Sequence, residues 1–320
     1  MAEIFDMPAA GLNDLKSTLM AVEDCMHEAL RRPDASLLGQ GLLNAHSAAV
    51  YHLRAGGRRV RAHLALAAGL SLGLSKADAV CVASCAELLH NASLVHDDIQ
   101  DRDVVRRGQA AVWSRFGNDV AICTGDLLLS AAYGVLCTIS QPLLLPALLT
   151  LIHQRTAAAI DGQCADLAAL GGQSAGLATY LQIATAKSGA LLSLPLELAL
   201  LAAGRSDAAS MARQACENLA VSYQILDDLQ DLDADSAPVD GGVDPTQSLN
   251  IMFVLLKPSD RTSVVTQAQA IACAKVLALE HLTLCEGQAV QLPSGSGAQL
   301  LALSADLRGL LNAQTGQVYH

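Results

Sequence analysis

Residues 87–133 read ELLHNASLVHDDIQDRDVVRRGQAAVWSRFGNDVAICTGDLLLSAAY, and the first part of this stretch decides the fold. Apolar residues recur in it every three or four positions, which predicts a helix. These residues are Leu88, Ala92, Val95 and Ile99. Asp97, Asp98 and Asp101 share the other side of that helix, and His90 lies on the same side about two turns earlier. The stretch therefore predicts a helix that carries a cluster of carboxylates.

A second cluster of the same form lies 130 positions further along the chain, where residues 227–231 read DDLQD against DDIQD at 97–101. Gln224 shares the side of the helix that carries these carboxylates. Like charges one turn apart repel each other, and a hard divalent cation such as Mg²⁺ offsets that repulsion. Two solvated acidic helix ends are the alternative. We expect the two clusters to face each other across an apolar pocket and to share metal ions around one diphosphate.

Arginines are grouped in two places, although the chain has a formal net charge of -11. Residues 56–61 read GGRRVR, and Arg106 and Arg107 follow the first acidic cluster closely. Arginine binds phosphate oxygens in pairs, and a glycine pair lets the backbone approach an anion at a helix start. Lys187 is a lone lysine in an apolar helix and needs a counter-charge. A bound diphosphate fits all three features, whereas ordinary surface arginines and a snorkelling lysine are the alternative.

The composition favours an all-α protein, because Ala and Leu dominate and only 3% of the residues are aromatic. No break is long and polar enough to be a linker, so we expect one domain over residues 1–320. The negative charge argues against nucleic-acid binding. The nine cysteines form no zinc or redox pattern, which predicts reduced core thiols in a cytoplasmic protein. The apolar stretches 134–152 and 189–204 are interrupted or short, so no membrane span is expected.

Several motifs together resemble those of one family. Residues 87–133, GGRRVR at Gly56, AKSGALL at Ala186 and YQILDDLQD at Tyr223 are similar to the trans-prenyltransferases of the polyprenyl synthetase family, which includes farnesyl and geranylgeranyl diphosphate synthases. The resemblance covers a core of about residues 56–231. It implies an isoprenoid synthase fold, a bundle of about ten to twelve helices around a central cavity, and a homodimer. It also implies magnesium as cofactor, as three ions held with the diphosphate.

The resemblance also implies a role for each matching residue. Asp97, Asp101 and Asp227 would ligate magnesium, and Asp98, Asp228 and Asp231 would be further ligands or supporting carboxylates. Arg106 would hold the allylic diphosphate, and Arg107 the isopentenyl diphosphate. Isopentenyl diphosphate would also be bound by Arg58, Arg61 and His90, and the allylic substrate by Lys187, Ser188 and Gln224. The reaction implied is metal-assisted ionisation of an allylic diphosphate, condensation with isopentenyl diphosphate, and loss of a proton.

Two departures from the family pattern affect substrate binding. Arg58 stands where the family usually has lysine, and the loop over 236–250 lacks the basic residues that many members carry. Both leave the reaction class intact but affect rate and substrate preference. The residues that often form the floor of the product cavity are Ala92 and Ser93, and both are small. We therefore expect a product of geranylgeranyl length or somewhat longer, with Leu89, Tyr133 or Leu136 as deeper stops.

Two other functions share this sequence pattern. A class I terpene cyclase, or a squalene or phytoene synthase, uses the same metal chemistry but needs no pocket for isopentenyl diphosphate. The Gly56 motif and Arg107 indicate such a pocket and therefore favour the elongating enzyme. A non-catalytic subunit of a heteromeric prenyl synthase is the second alternative. Both acidic clusters are intact here, and this argues against it.

Overall fold

The computed structural model describes residues 9–31, 44–169, 176–230, 249–256 and 263–313. The helices are α1 (Ala9–Ala29), α2 (Ala45–Arg54), α3 (Val60–Ser71), α4 (Lys76–Asp101), α5 (Val112–Phe116), α6 (Asn118–Leu136), α7 (Leu145–Ala169), α8 (Leu177–Ala184), α9 (Ala190–Ala202), α10 (Ala209–Gln230), α11 (Ile251–Leu255), α12 (Val264–Ala289) and α13 (Ala298–Ala313). A π-helical turn, Thr185–Gly189, joins α8 to α9. The all-α prediction is confirmed.

The only strands in the described ranges form a small antiparallel hairpin, β1 (Val105–Arg106) and β2 (Gln109–Ala110). The sequence pattern did not predict it, because two-residue strands are too short to show alternation. The predicted helix breaks near 55–57, 73–75, 141–142, 204–207 and 293–297 are present. Those predicted at 32–34, 237–245 and 258–260 lie outside the described residues. So does the break predicted at 171–176, except for Gly176, which directly precedes α8.

Contacts within the chain group it into two compact units. Unit 1 comprises Met1–Thr150 and Leu198–Gly204, and unit 2 comprises Leu151–Glu197 and Arg205–His320. The single domain over residues 1–320 stays a prediction. Each acidic cluster belongs to a different unit.

Unit 1 is organised around α4, which packs against α1, α3 and α6. Residues 81–89 of α4 are all buried, as a helix surrounded by others requires. The Ser75 hydroxyl accepts a hydrogen bond from the backbone N–H of Asp78 and caps the helix start. The Asp78 carboxylate in turn accepts bonds of 2.8 and 2.6 Å from the backbone N–H and hydroxyl of Ser140. These bonds fix the start of α4 relative to the turn after α6.

Unit 2 is organised around α10, which packs against α12, α13 and the π-helical turn. The buried side of α10 is apolar and includes Leu219, Ile225 and Leu226. This packing holds the end of α10, and with it the second acidic cluster.

The expectation of nine core cysteines is wrong in part. Only four are buried, namely Cys81, Cys85, Cys216 and Cys285, while four others are exposed; all nine are free. Small thiols are tolerated on the outside of alanine-rich helices, where periodicity alone does not assign them to the core.

Four described helical stretches are long and apolar enough to cross a membrane by length and composition. They are Asn118–Leu136, Pro142–Ala168, Leu177–Ala202 and Val265–Ala289. Leu177–Ala202 is 78% buried, whereas Pro142–Ala168 is 11% buried. The expected lack of a membrane span and the cytoplasmic location stay predictions.

Candidate active site

The three carboxylates of the first cluster differ in their surroundings. Asp98 is fully buried, and its Oδ1 accepts a hydrogen bond of 2.7 Å from Nε of Arg106. The same guanidinium also pairs with Asp103 at 3.1 Å. Asp97 is half-buried and Asp101 is exposed. The carboxylate of Asp98 is therefore bound by Arg106. Asp97 and Asp101, which lie one turn apart, are the more accessible carboxylates of the cluster.

Asp97 and Asp101 fit a hard divalent cation. Both lie in the last turns of α4, where the negative end of the helix dipole disfavours carboxylates unless a cation offsets it. Their oxygen ligands are those that Mg²⁺ prefers. Within the described ranges, no three His, Cys, Asp or Glu side chains come close enough together to hold a metal ion by themselves.

The glycine pair makes the turn before α3 and leaves room for Arg107. Gly56 has φ 73° and Gly57 has φ 135°, a region that L side chains rarely adopt. A Cβ on Gly57 would lie 2.8 Å from Cζ of Arg107. Nη1 of Arg107 donates a hydrogen bond to the carbonyl of Gly56. The structure places Arg107 directly against the turn. The predicted approach of a phosphate to the glycine pair stays a prediction.

The positive charges of three arginines act on His90 in unit 1. Burial, and then the charges of Arg61 and Arg107, hold the pKa of His90 well below its usual value, with a smaller effect from Arg59. Burial and Arg107 likewise lower the pKa of His52 to about 3. Neutral imidazoles among arginines make this a cationic region. Of the residues predicted to bind isopentenyl diphosphate, Arg61, Arg107 and His90 are therefore brought together, and Arg58 is exposed beside them in the chain.

The second cluster, like the first, contains a buried, hydrogen-bonded carboxylate beside a more accessible one. Asp228 is 6% exposed. Its Oδ2 accepts bonds of 2.7 Å from the Tyr180 hydroxyl and from the backbone N–H of Ile251. Its Oδ1 accepts a bond of 2.8 Å from Nε2 of Gln224. Asp227 is half-buried, and Asp231 lies outside the described residues. Gln224 thus supports Asp228, and its predicted contact with substrate stays a prediction.

Lys187 has a protein counter-charge that the sequence did not predict. Its Nζ donates to Oδ2 of Asp166 at 2.5 Å. Lys187 and the half-buried Ser188 belong to the π-helical turn rather than to a regular helix. A Cβ on Gly162 would lie 2.4 Å from the backbone N of Lys187, so α7 and this turn approach closely. The need of a lone lysine for a counter-charge was the only sequence signal for Asp166.

Gln163 is a second residue that the sequence analysis missed. Its side-chain Nε2 and Oε1 are both buried and have no hydrogen-bond partner among the residues that the structure describes. A buried amide without a partner costs free energy and has bonding capacity left for a ligand or water. It adds to the polar groups around Asp166.

The residues predicted to set product length are mostly buried. Ala92 is 2% exposed, as is Leu89, and Leu136 is fully buried. Ser93 is half-buried, and its hydroxyl donates to the carbonyl of His90 at 2.8 Å. Their role in product length stays a prediction, as does the sharing of metal ions by the two clusters.

Comparisons with known proteins agree with the motifs. A family profile described as polyprenyl synthetase matches residues 44–243, more than half of the chain. The chain is 26% identical over 230 residues to octaprenyl diphosphate synthase from Haemophilus influenzae, covering 69% of this chain and 68% of that protein. It is 34% identical over 174 residues to (2E,6E)-farnesyl diphosphate synthase from Mycobacterium tuberculosis, covering 54% of this chain and 48%, about half, of that protein.

A solved structure shares the fold. The polyprenyl synthase from Caulobacter crescentus CB15, solved with calcium and isoprenyl diphosphate, superposes with a TM-score of 0.74 at 17% identity. The superposition covers 93% of this chain and 96% of that one. The predicted isoprenoid synthase fold is confirmed. With the profile match and the intact aspartate motifs, the chain belongs to the polyprenyl synthetase family.

Proposed function

We propose that this chain condenses isopentenyl diphosphate with an allylic diphosphate (dimethylallyl, geranyl or farnesyl) to give an all-trans prenyl diphosphate. As a member of the polyprenyl synthetase family it is a prenyltransferase. The observation that carries the proposal is the contact of Arg107 with the turn at Gly56 and Gly57, which brings this arginine to the segment that carries Arg58 and Arg61. A cyclase that acts on one allylic diphosphate needs no such second site.

Magnesium would be held by Asp97 and Asp101 in unit 1 and by Asp227 in unit 2, with three ions in total as the family resemblance implies. When bound, the metal supplies positive charge that stabilises the departing diphosphate. Asp98 and Asp228 would orient the clusters, because both are buried and already hydrogen-bonded. The divalent ion in the Caulobacter crescentus structure is in keeping with this cofactor.

The chain's own side chains would bind and orient the substrates. Arg106 and Lys187 each have a carboxylate partner, so their charges are fixed in place before an allylic diphosphate binds. The allylic C–O bond breaks with its electron pair going to the diphosphate. The isopentenyl double bond then forms the new C–C bond, and a proton is lost, for which the released diphosphate is an acceptor. Apolar walls exclude water from the cation.

The product would be of geranylgeranyl length or somewhat longer. Ala92 and Ser93 are small, and the side chains behind them on α4 are aliphatic rather than aromatic. The names of the two relatives, farnesyl and octaprenyl, span shorter and longer products. Enlarging Ala92 to phenylalanine should shorten the product.

The chain would work as a homodimer. Apolar side chains are exposed on and just after α6, with Ile122 at 48% and Leu143 at 94% exposed. Exposed apolar side chains of this kind are common at interfaces between subunits. Light scattering should give a mass of about twice 33.2 kDa, and a monomer would contradict this part of the proposal.

One experiment tests the proposed reaction. The purified protein is incubated with Mg²⁺ and dimethylallyl, geranyl or farnesyl diphosphate, with and without isopentenyl diphosphate, and the chains formed are sized by chromatography. We expect elongated products only when isopentenyl diphosphate is present. Equal product without it would point to a cyclase or a squalene-type synthase. No turnover by folded protein would favour a non-catalytic subunit.

A further inference from the structure

Arg59 adopts an unusual backbone conformation at the start of α3. Its φ of 47° and ψ of 39° are left-handed, and its side chain does not cap the helix. For a residue with a Cβ this conformation is unfavourable and persists only where surrounding contacts hold it. Something in unit 1 must therefore fix Arg59.

The Arg59 side chain is held by a helix outside the family match. Arg59 is 5% exposed, and its Nε and Nη2 donate to the two carboxylate oxygens of Glu23 at 2.5 and 3.1 Å. Nη2 also donates to the carbonyl of Leu53 at 3.1 Å. Glu23 lies on α1, whereas the family profile begins at residue 44. A two-point pair with a buried guanidinium fixes both position and angle.

A second carboxylate lies near the buried cation but does not hydrogen-bond to it. Oε2 of Glu87, on α4, lies 3.8 Å from Nη1 of Arg59. The same Glu87 accepts a hydrogen bond from the backbone N–H of Ala62 in the first turn of α3 at 3.1 Å. Glu87 therefore hydrogen-bonds to the backbone of α3 rather than to the Arg59 side chain. Glu23 is the carboxylate that forms two hydrogen bonds with Arg59.

The anchored residue lies between two proposed substrate ligands. Arg58 precedes Arg59, and Arg61 follows it in the first turn of α3. The turn before them contains Gly56 and Gly57, both with positive φ, and glycine gives the backbone many alternative conformations. Without an anchor at Arg59, the turn would be less well ordered before the ligand binds, and ordering it would cost affinity.

We propose that Glu23 is a positioning residue for isopentenyl diphosphate and acts through Arg59 on the 56–61 turn. The proposal rests on the proposed function, because it takes Arg58 and Arg61 as ligands of that substrate. It adds α1 to the elements that the substrate site requires. The allylic side of the reaction has no ligand in this turn, so its binding should not change.

The test compares Glu23→Gln with Glu28→Gln. Glu28 is on the same helix and pairs with Arg31 at 3.0 Å, but its side chain is 66% exposed, so it is a matched control. The Kd of isopentenyl diphosphate alone is measured by calorimetry, and KM is measured for both substrates. We expect Glu23→Gln to weaken isopentenyl diphosphate binding about tenfold, the usual effect of losing a supporting partner. The allylic KM and all values for Glu28→Gln should stay within about twofold of wild type.

Several outcomes would overturn the inference. An unchanged Kd in folded Glu23→Gln would do so, as would equal losses for both substrates together with a lowered Tm, which indicate a general structural role. If Glu23→Gln does not fold, Glu23→Asp keeps the charge on a shorter side chain. It should then show a smaller loss confined to isopentenyl diphosphate, and no selective loss would overturn the inference. Wild-type protein without turnover would instead contradict the proposed function, whatever the two variants show.

Discussion

The hydroxyl of Tyr180 donates a 2.7 Å hydrogen bond to Oδ2 of Asp228 and joins α8 to α10 at the second acidic cluster. Tyr180 is 1% exposed, and burial and Asp228 raise the pKa of its hydroxyl far above the usual value, so it stays a donor. Asp228 is thereby held away from the role of a free ligand. Of the two described carboxylates of the cluster, its neighbour Asp227 is the more accessible one.

Replacing Tyr180 with phenylalanine should weaken magnesium use without unfolding the protein. The variant keeps the ring but removes one donor from a buried carboxylate, which costs about 1–3 kcal/mol. Loss of a residue that orients ligands typically costs about 10–100-fold in metal affinity. The Mg²⁺ concentration for half-maximal turnover should rise accordingly. Ser222→Ala is the control, because Ser222 lies on α10 with Asp228 and its buried hydroxyl donates a bond of 2.9 Å to the carbonyl of Ala278. Equal Mg²⁺ requirements in both variants would contradict the prediction.

Asp97→Asn and Asp98→Asn should have opposite main effects. Asp97 is half-buried, so its loss should leave folding intact but lower kcat by about 10²–10³-fold, as expected for a metal ligand. Asp98 is buried and pairs with Arg106. Its replacement leaves that guanidinium with a weaker partner and should lower stability by about 2–4 kcal/mol. Urea denaturation and steady-state kinetics on both variants separate the two effects. A destabilised Asp97→Asn with a stable Asp98→Asn would reverse the assignment.

Helical periodicity located both acidic clusters but could not rank their members; only the family resemblance set Asp97, Asp101 and Asp227 apart as the metal ligands. Helical periodicity puts Asp97, Asp98 and Asp101 on one side, and nothing local distinguishes Asp98. What distinguishes Asp98 is Arg106, which reaches back to it from the hairpin. In the second cluster, the partners of Asp228 come from Tyr180 and Ile251, 48 and 23 positions away. Contacts at such separations depend on tertiary packing, which periodicity does not report.

The surroundings of Lys187 show the same limit. A lone lysine in an apolar helix correctly indicated that a negative partner was needed. The sequence analysis assigned that role to a substrate, whereas the structure finds Asp166, 21 positions earlier. The π-helical turn also could not be predicted, because one extra residue in a turn leaves the apolar spacing almost unchanged.

Acid should destabilise the protein through His52. Burial, and then Arg107, lower the pKa of His52 from 6.5 to about 3, and Nε2 lies 3.1 Å from Oδ1 of Asn91. Because the folded-state pKa is lowered, the stabilising contribution is fully present above pH 6.5. It is lost as pH falls from 6.5 toward 3, where only the unfolded chain takes up the proton. Between pH 7 and pH 5, proton uptake by His52 in the unfolded chain should lower the free energy of unfolding by about 2 kcal/mol.

Urea denaturation at pH 7 and pH 5 measures this loss. His52→Gln cannot take up a proton but can still donate to Asn91. Its decrease in unfolding free energy between pH 7 and pH 5 should therefore be smaller by about 2 kcal/mol. His153→Gln changes an exposed histidine and should keep the wild-type loss. Burial also lowers the pKa of His90 and His63, so part of the acid sensitivity should remain. Identical pH dependence in wild type and His52→Gln would show that His52 is not the group responsible.

Two helical glycines should respond in opposite directions to alanine. At Gly162 a new Cβ would lie 2.4 Å from the backbone N of Lys187 and 2.7 Å from the carbonyl carbon of Ala186, so α7 and the π-helical turn would have to separate. Backbone atoms cannot move aside as side chains do, and overpacking of this kind costs about 1–3 kcal/mol. The separation would also disturb the ion pair between Asp166 and Lys187, so turnover should fall with stability.

Gly134 is the matched position, because it is also helical but its new Cβ would meet nothing within 4 Å. There alanine only removes the entropy cost of glycine, and Gly134→Ala should stabilise the protein by about 0.5–1 kcal/mol with unchanged kinetics. Urea denaturation midpoints and kcat values for the two variants test the expected loss of stability at Gly162 and the expected gain at Gly134. If Gly162→Ala were as stable and as active as Gly134→Ala, the close approach of α7 to Lys187 would not be needed for the site. The position of Lys187 would then depend on its ion pair with Asp166 alone.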